Sequence, residues 1–253
     1  MKKLLYLMLI LSFCPLALAD DATKAAPSPG STKVTAPNTA LIAFFKHLQS
    51  GQKQTVVTYG TSVTKYGYWV TAMQQWFDQK YPGLVTVVNS GGPGQNSDWG
   101  LKELQPQVLD HYPDLVFIEF AANDAHVRFK LTVEHAKDNL DKIVTAIQQQ
   151  NPQVAIVLQT MNVFWDAPKG FTTAATSRPQ LNAFYDNYRN YATEHKLVLV
   201  DNYVKWEEMK EKDYANFQVM LPDGTHPNKN GSLAVNWPNI QALLEAAQKA
   251  ATP

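Results

Sequence analysis

Cysteine is nearly missing. The 253-residue chain holds one, Cys14, inside the apolar N-terminal run. A disulfide framework, a cysteine nucleophile and a thiolate metal site are therefore excluded from the body of the chain. Net charge is missing too, since 22 Lys and Arg balance 22 Asp and Glu. No basic footprint points to a nucleic acid partner. Past the N-terminus no apolar run of about 20 residues occurs, which excludes an internal membrane span. No HExxH or comparable histidine pair is present, so nothing suggests a zinc site. With 45% hydrophobic and only 17% charged residues, collagen-like, disordered and coiled-coil classes fall away.

What is there begins with a separate object. Lys2 and Lys3 precede the almost wholly apolar stretch Leu4 to Leu18, and Ala17-Leu18-Ala19 stands before Asp20. That pattern reads as a secretory signal peptide over residues 1–19; an uncleaved anchor helix is the alternative. Phe13 before Cys14 argues against a lipid-modified cysteine. Cleavage takes the 22 basic residues to 20 against 22 acidic ones, a formal charge of −2. Residues 20–38, rich in Ala, Pro, Ser, Thr and Lys, read as a flexible linker. From Thr39 to residue 253 the pattern is that of one globular domain. The expectation is export, to the periplasm or the extracellular medium, with no membrane span once the signal is removed.

The globular part alternates strand and helix signals. Strands are expected at Gln54–Tyr59, Leu84–Val88, Leu115–Phe120, Val154–Gln159 and Leu197–Val200. Helices are expected at Tyr68–Tyr81, Leu101–Leu109 (interrupted by Pro106), Thr132–Gln149, Gln180–His195 and Asn228–Ala250. Five short apolar strands separated by helices predict an α/β fold with a parallel sheet covered on both faces. Such sheets take ligands at the carboxyl ends of their strands.

Four segments follow those ends. Gly60-Thr61-Ser62 follows the first strand, where the serine fits either a crevice-facing hydroxyl or a plain helix N-cap. Gly91-Gly92-Pro93-Gly94 follows the second. It lacks the Lys and Ser/Thr of a P-loop, and reads as a backbone donor to a ligand or as an ordinary loop. Asn123-Asp124 follows the third: Asn123 as an amide donor to developing negative charge or part of a helix cap, Asp124 as a helix cap or as a group holding the oxyanion region from behind. Late in the chain, Asp223 stands three residues before His226 in the turn-rich run Leu221-Pro222-Asp223-Gly224-Thr225-His226-Pro227-Asn228. That spacing lets a carboxylate hold one imidazole nitrogen while the other faces a substrate, and it also suits a simple turn.

Taken in order, these blocks resemble the SGNH hydrolase group of the GDSL esterase/lipase superfamily, from Gln54 to about Ala250. The resemblance implies a three-layer α/β/α sandwich, flavodoxin-like, around a central five-stranded parallel sheet. It implies Ser62 as nucleophile, His226 as general base and Asp223 as the group orienting it. The N–H groups of Ser62 and Gly94 and the side chain of Asn123 would form the oxyanion hole. No cofactor or metal is implied. Two positions depart from the family pattern: Thr61 stands where Asp is usual, and Ala121 where Gly is usual. The chemistry is consistent, because a serine hydroxyl is a weak nucleophile until a base takes its proton, and imidazole serves as such a base near neutral pH.

The expected activity is ester hydrolysis of short acyl groups, on a small-molecule or glycan ester. Acyl transfer to a glycan, lysophospholipase- or thioesterase-type lipid hydrolysis, and a silent carbohydrate-binding module are the alternatives. Trp99 is expected near the substrate, and Phe164, Trp165 and Phe171, in the long connection from Met161 to Ser177, are expected to line a substrate groove or form a lid. That connection also fits a satellite cluster holding the loop down. Trp69, Trp76 and Phe77 share a helix face and are read as core. His47, His111, His126, His135 and His195 are expected to face solvent.

Overall fold

The computed structural model describes residues 35–252. The expected signal peptide and most of the expected linker lie outside them. Five strands run through the chain: β1 (Gln54–Gly60), β2 (Val85–Gly91), β3 (Leu115–Glu119), β4 (Ala155–Thr160) and β5 (Val198–Asp201). All pair in parallel, in the order β2-β1-β3-β4-β5. The helices are α1 (Thr39–Gln49), α2 (Ser62–Lys65), α3 (Tyr68–Lys80), α4 (Ser97–Lys102), α5 (Leu104–Gln107), α6 (Ala121–Asp124), α7 (Val133–Gln150), α8 (Leu181–Glu194), α9 (Asn202–Lys212), α10 (Tyr214–Met220), α11 (Lys229–Gly231) and α12 (Trp237–Ala251).

Strand periodicity sorts the side chains into two cores. Val56, Val85, Leu115, Phe117, Val157 and Val200 pack against α1, α3 and α12, through Phe45, Trp69, Phe77 and Leu244 among others. Their neighbours in sequence, Val57, Val116, Ile118, Ile156, Leu158 and Leu199, face the other way onto α7 and α8. Ile143 and Tyr188 sit in that second cluster. Trp69, Trp76 and Phe77 are buried, as their shared helix face predicts. Burying one such Val, Leu or Phe side chain contributes about 1.5–3 kcal/mol. The result is a three-layer α/β/α sandwich.

Local chemistry explains the boundaries. Asn38 caps α1 by accepting from the Leu41 N–H at 3.0 Å, and Thr132 caps α7 by accepting from His135 N at 3.1 Å. Thr35, near the end of the expected linker, already pairs with the edge strand: its N–H donates to Leu199 O at 3.1 Å, and its hydroxyl accepts from Leu199 N at 2.8 Å. The stretch expected as one helix over Leu101–Leu109 is broken into α4, α5 and a single 3-10 turn at Leu109–His111. The last expected helix is also interrupted. A π-helical turn at Ser232–Asn236 precedes α12, whose second residue, Pro238, has no N–H for the ladder. Helices α1, α9 and α10 fall outside every expected helix, as do the one-turn helices α2 and α6. Among the described residues no helix is long and apolar enough to cross a membrane.

Register places the working end. Gly60 pairs with Gly91 on one side and Glu119 on the other. Three strands therefore finish level, and the loops after them open side by side. The chain leaves β1 toward β2 and later returns to the opposite side of β1 as β3. That reversal makes the β1/β3 crevice the switch point where open α/β sheets bind ligands.

Candidate active site

The turn after β1 is tight for a stated reason. A Cβ at Gly60 would lie 2.3 Å from Glu119 Oε1 and 2.5 Å from the Glu119 carbonyl oxygen. Glycine lets the two strand ends close, and Glu119, only 1% exposed, then fills the space behind the turn. Its Oε1 accepts from Thr61 N at 2.6 Å, from the Thr61 hydroxyl at 3.0 Å and from the Thr64 hydroxyl at 2.6 Å. Burial pushes its carboxyl up to about 7, and the hydrogen bonds from Thr64 and Thr61 pull the other way. Thr61 also caps α2, its hydroxyl accepting from Val63 N at 3.2 Å. So the residue standing where the family usually has Asp serves as a helix cap and a donor to Glu119. Ser62 is the first residue of α2, and a helix's first N–H groups have no intrahelical acceptor.

Ser62 Oγ lies 2.8 Å from His226 Nε2. His226 Nδ1 lies 2.7 Å from Asp223 Oδ2. Asp223 Oδ1 accepts from Thr225 N at 2.8 Å and from His226 N at 2.6 Å. Burial would raise the Asp223 carboxyl, but the hydrogen bonds from His226 and Thr225 outweigh it and hold the group below the usual carboxylate range. A charged Asp223 fixes the His226 tautomer: Nδ1 carries the proton, and Nε2 is free to accept from the serine.

The long connection after β4 holds this turn in place. Phe171 N donates to Asp223 O at 2.8 Å, Trp165 N to Gly224 O at 3.3 Å, and the Trp165 indole to Leu221 O at 2.7 Å. Asn162 Nδ2 reaches Thr225 O at 3.0 Å.

Gly94 sits with φ +71° in the left-handed region, in a turn closed by Gln95 N donating to Gly92 O at 3.1 Å. Glycine meets that requirement without steric cost. Asn123, in α6, donates from Nδ2 to Gln95 O at 2.7 Å, which ties the two loops together. Its second Nδ2 hydrogen remains for another acceptor. Ser62, Gly94, Asn123 and His226 all line one cavity of about 230 Å³, with Tyr66, Pro93, His126, Arg128, Phe171, Thr173, Ala174, Arg178 and Thr225.

Of the aromatics expected at the substrate, Trp99, Phe164 and Trp165 are not among those residues. Trp99 packs on Tyr59 and Phe120, ring centroids 5.9 and 6.3 Å away, and lies where a Gly92 side chain would go. Phe164 is buried beneath the Arg178 guanidinium, 3.9 Å from its ring centroid. Trp165 packs against the small cluster of Trp206, Phe217 and Leu221. Each of the three packs against protein groups, and none lines this cavity. Phe171 does line the cavity, 52% exposed and 5.6 Å from the His226 ring. Tyr66, 64% exposed, is a lining aromatic that sequence reasoning missed.

Two further expectations need correction. His126 lines the cavity and is half-buried instead of facing solvent. Burial, then the charges of Arg178 and Arg128, lower its ring to about 4. Asp124 is not a cap of its helix. It is buried within α6, and its Oδ1 accepts from Ser97 N, the start of α4, at 2.8 Å. Burial pushes this carboxyl up to about 7. Among the described residues no cluster of His, Cys, Asp and Glu could hold a metal ion.

Residues 57–234 match the GDSL-like lipase/acylhydrolase family, a span that reaches from β1 to the turn before α12. The chain belongs to that family. An arylesterase of Vibrio mimicus is 31% identical to this chain over 144 residues, covering 56% of this chain and 62% of its own length. The thioesterase 1/protease 1/lysophospholipase L1 of Escherichia coli K12 is 25% identical over 179 residues, 70% of this chain and 76% of its own. Among solved structures, a two-domain esterase active on acetylated mannans superposes with a TM-score of 0.67 at 22% identity, over 83% of this chain. The chain spans 53% of that esterase, so this likeness speaks for the fold.

Proposed function

We propose that this GDSL-family chain is a carboxylic ester hydrolase that uses Ser62 as nucleophile, His226 as general base and Asp223 as the group orienting the imidazole. The observation that carries the reading is the continuous hydrogen-bonded chain from Ser62 Oγ to His226 Nε2 at 2.8 Å and from His226 Nδ1 to Asp223 at 2.7 Å. In the first half-reaction Ser62 Oγ attacks the ester carbonyl while its proton passes to His226 Nε2. The carbonyl oxygen becomes an oxyanion, held by the N–H groups of Ser62 and Gly94 and the Asn123 amide. His226 then gives the proton to the departing alcohol oxygen, leaving an acyl-Ser62. Water repeats the sequence and frees the acid. Each oxyanion donor is worth about 100- to 1,000-fold in rate.

The substrate reading is a short acyl group on a polar, carbohydrate-like alcohol. A cavity of about 230 Å³ is small beside the ~300–1,000 Å³ of drug-sized pockets, which suits an acetyl-sized group better than a long chain. Tyr66 and Phe171 offer exposed aromatic faces at its margin, and flat faces suit sugar rings. The similarity to an esterase active on acetylated mannans points the same way. Export to the periplasm or extracellular medium belongs to this reading, on the pattern of Lys2, Lys3, Leu4 to Leu18 and Ala17-Leu18-Ala19. The test is a series of nitrophenyl esters from acetyl to dodecanoyl, assayed with the wild-type chain and with Ser62→Ala, alongside labelling by a serine-directed phosphonate. Activity highest at acetyl, lost in Ser62→Ala, with the label on Ser62, is expected. Equal hydrolysis by both proteins removes Ser62. A specificity constant rising steadily to dodecanoyl replaces the short-acyl reading with a lipid substrate.

A further inference from the structure

The sequence contains three arginines, and two of them, Arg128 and Arg178, line the cavity that Ser62 and His226 share. The third, Arg189, pairs with Asp186 at 2.8 Å and Asp201 at 2.7 Å. No carboxylate within 4.0 Å pairs with Arg128 or Arg178 among the described residues, and none lines the cavity.

Neutral partners hold both guanidiniums in place. Arg178, 7% exposed, donates from Nε to Ala122 O at 2.8 Å, from Nη1 to Ala174 O at 2.6 Å, and from Nη2 toward Asn123 Oδ1 at 3.4 Å. Its guanidinium lies over the Phe164 ring. Arg128 donates from Nη2 to Gly94 O at 3.0 Å and stacks 4.5 Å from the Phe129 ring centroid. Carbonyls and ring faces fix these groups but leave their charge uncancelled. Buried charges are ordinarily paired, and two like charges beside one cavity add a mutual penalty. Burial lowers the Arg178 guanidinium to about 10, against the opposing influence of Tyr185, and the charge of Arg128 lowers it further. His126 Nδ1 accepts from Arg128 N at 3.2 Å, which leaves its proton on Nε2 as one more donor.

We propose that the cavity takes esters carrying a carboxylate close to the scissile bond, with the exposed Arg128 meeting that carboxylate and buried Arg178 adding a fixed positive field. This rests on the ester-hydrolase reading and names its substrate class. A carboxylate suits the site because a guanidinium presents planar, paired donors to it. It can enter on the acyl half, as a mono-ester of a dicarboxylic acid, or on the alcohol half, as a uronic acid.

Two matched pairs distinguish those sources: nitrophenyl butyrate against mono-nitrophenyl succinate, and an acetylated methyl glucoside against the acetylated methyl glucuronoside. At low salt the anionic member of one pair should have a kcat/KM about tenfold higher or more, and the advantage should shrink as salt is added. In Arg128→Gln the ratio should fall toward one, while Arg128→Lys keeps part of it. Comparing ratios cancels any general effect on the Gly94 loop. A ratio near one in both pairs, or a preference that survives Arg128→Gln, overturns the proposal. The same pairs titrated by calorimetry into Ser62→Ala read binding without turnover. Tighter binding of an anionic member, lost in Ser62→Ala/Arg128→Gln, supports the anion site even if no ester is hydrolysed, an outcome that would overturn the hydrolase reading alone. Equal binding of both members in both pairs overturns the anion site whatever the hydrolysis result.

Discussion

Replacing Glu119 by Gln tests whether a buried acid behind the Ser62 turn governs the pH dependence of stability. Burial raises the carboxyl from 4.5 to about 7, against the hydrogen bonds from Thr64 and Thr61. The folded state therefore holds this proton to higher pH than the unfolded state does. The group's contribution to stability is fully present below about 4.5 and is lost as pH rises through about 7. At about 1.4 kcal/mol per pH unit, that interval corresponds to a loss of about 3 kcal/mol. Glutamine keeps one oxygen for the Thr61 N–H and the Thr64 hydroxyl, and it does not titrate. Urea unfolding from pH 4.5 to 8.5 measures both proteins. Wild type should lose about 3 kcal/mol relative to Glu119→Gln across that range. Asp124 is also raised and Asp223 lowered, but both remain in the variant and largely cancel in the difference. A flat difference curve, or one of opposite sign, refutes the reasoning.

Two other outcomes follow from the geometry. His226→Ala and Asp223→Asn should each lower kcat by roughly ten-thousandfold, and the double variant should be little worse than His226→Ala, because the residues act as one unit; multiplying defects would show that they act separately. Asn123→Ala should lower kcat about 100- to 1,000-fold with KM nearly unchanged, since its amide is assigned to charge present only in the transition state. A raised KM at constant kcat would instead make Asn123 a substrate-binding group.

The strands were legible because each is a short apolar run between turn residues, and the crevice followed from the rule about strand ends. The Asp223–His226 contact was legible because both residues lie within one four-residue turn; their assignment to the site came from the order of the blocks, which resembles the family, and not from that spacing. What escaped had weaker signals. The run over α9 and α10 is rich in charge, and α9 buries only Asn202 and Trp206, so it carries little periodicity. Trp99, Phe164 and Trp165 stand close to the site in sequence, yet side-chain size does not tell which way a loop residue turns. Each found a core, carbonyl or cation to pack on before reaching the cavity. Glu119 had a readable signal: it is the one charged residue in the apolar strand run LVFIEF, at its carboxyl end. An acid there must find donors, and the Thr61 and Thr64 hydroxyls supply them.

The two buried acids give the site its electrical arrangement. Glu119 accepts from the Thr61 N–H at the start of α2, and Asp124 accepts from the Ser97 N–H at the start of α4. Each acid thus pins, from the protein side, a short helix that follows a loop of the site. A negative group is stabilised at a helix N-terminus, but each of these is 1% exposed, and burial dominates its titration. The cavity side carries the opposite sign, through Arg128 and Arg178. An oxyanion forming between Ser62, Gly94 and Asn123 would feel cations across the cavity, and two buried acids whose carboxyls burial has pushed up to about 7. Raising the pH ionises those acids and weakens that field. By this argument kcat should fall as Glu119 and Asp124 ionise. In Glu119→Gln the alkaline decline should be smaller. An identical alkaline limb in the two proteins would show that Glu119 shapes the turn without acting on the reaction.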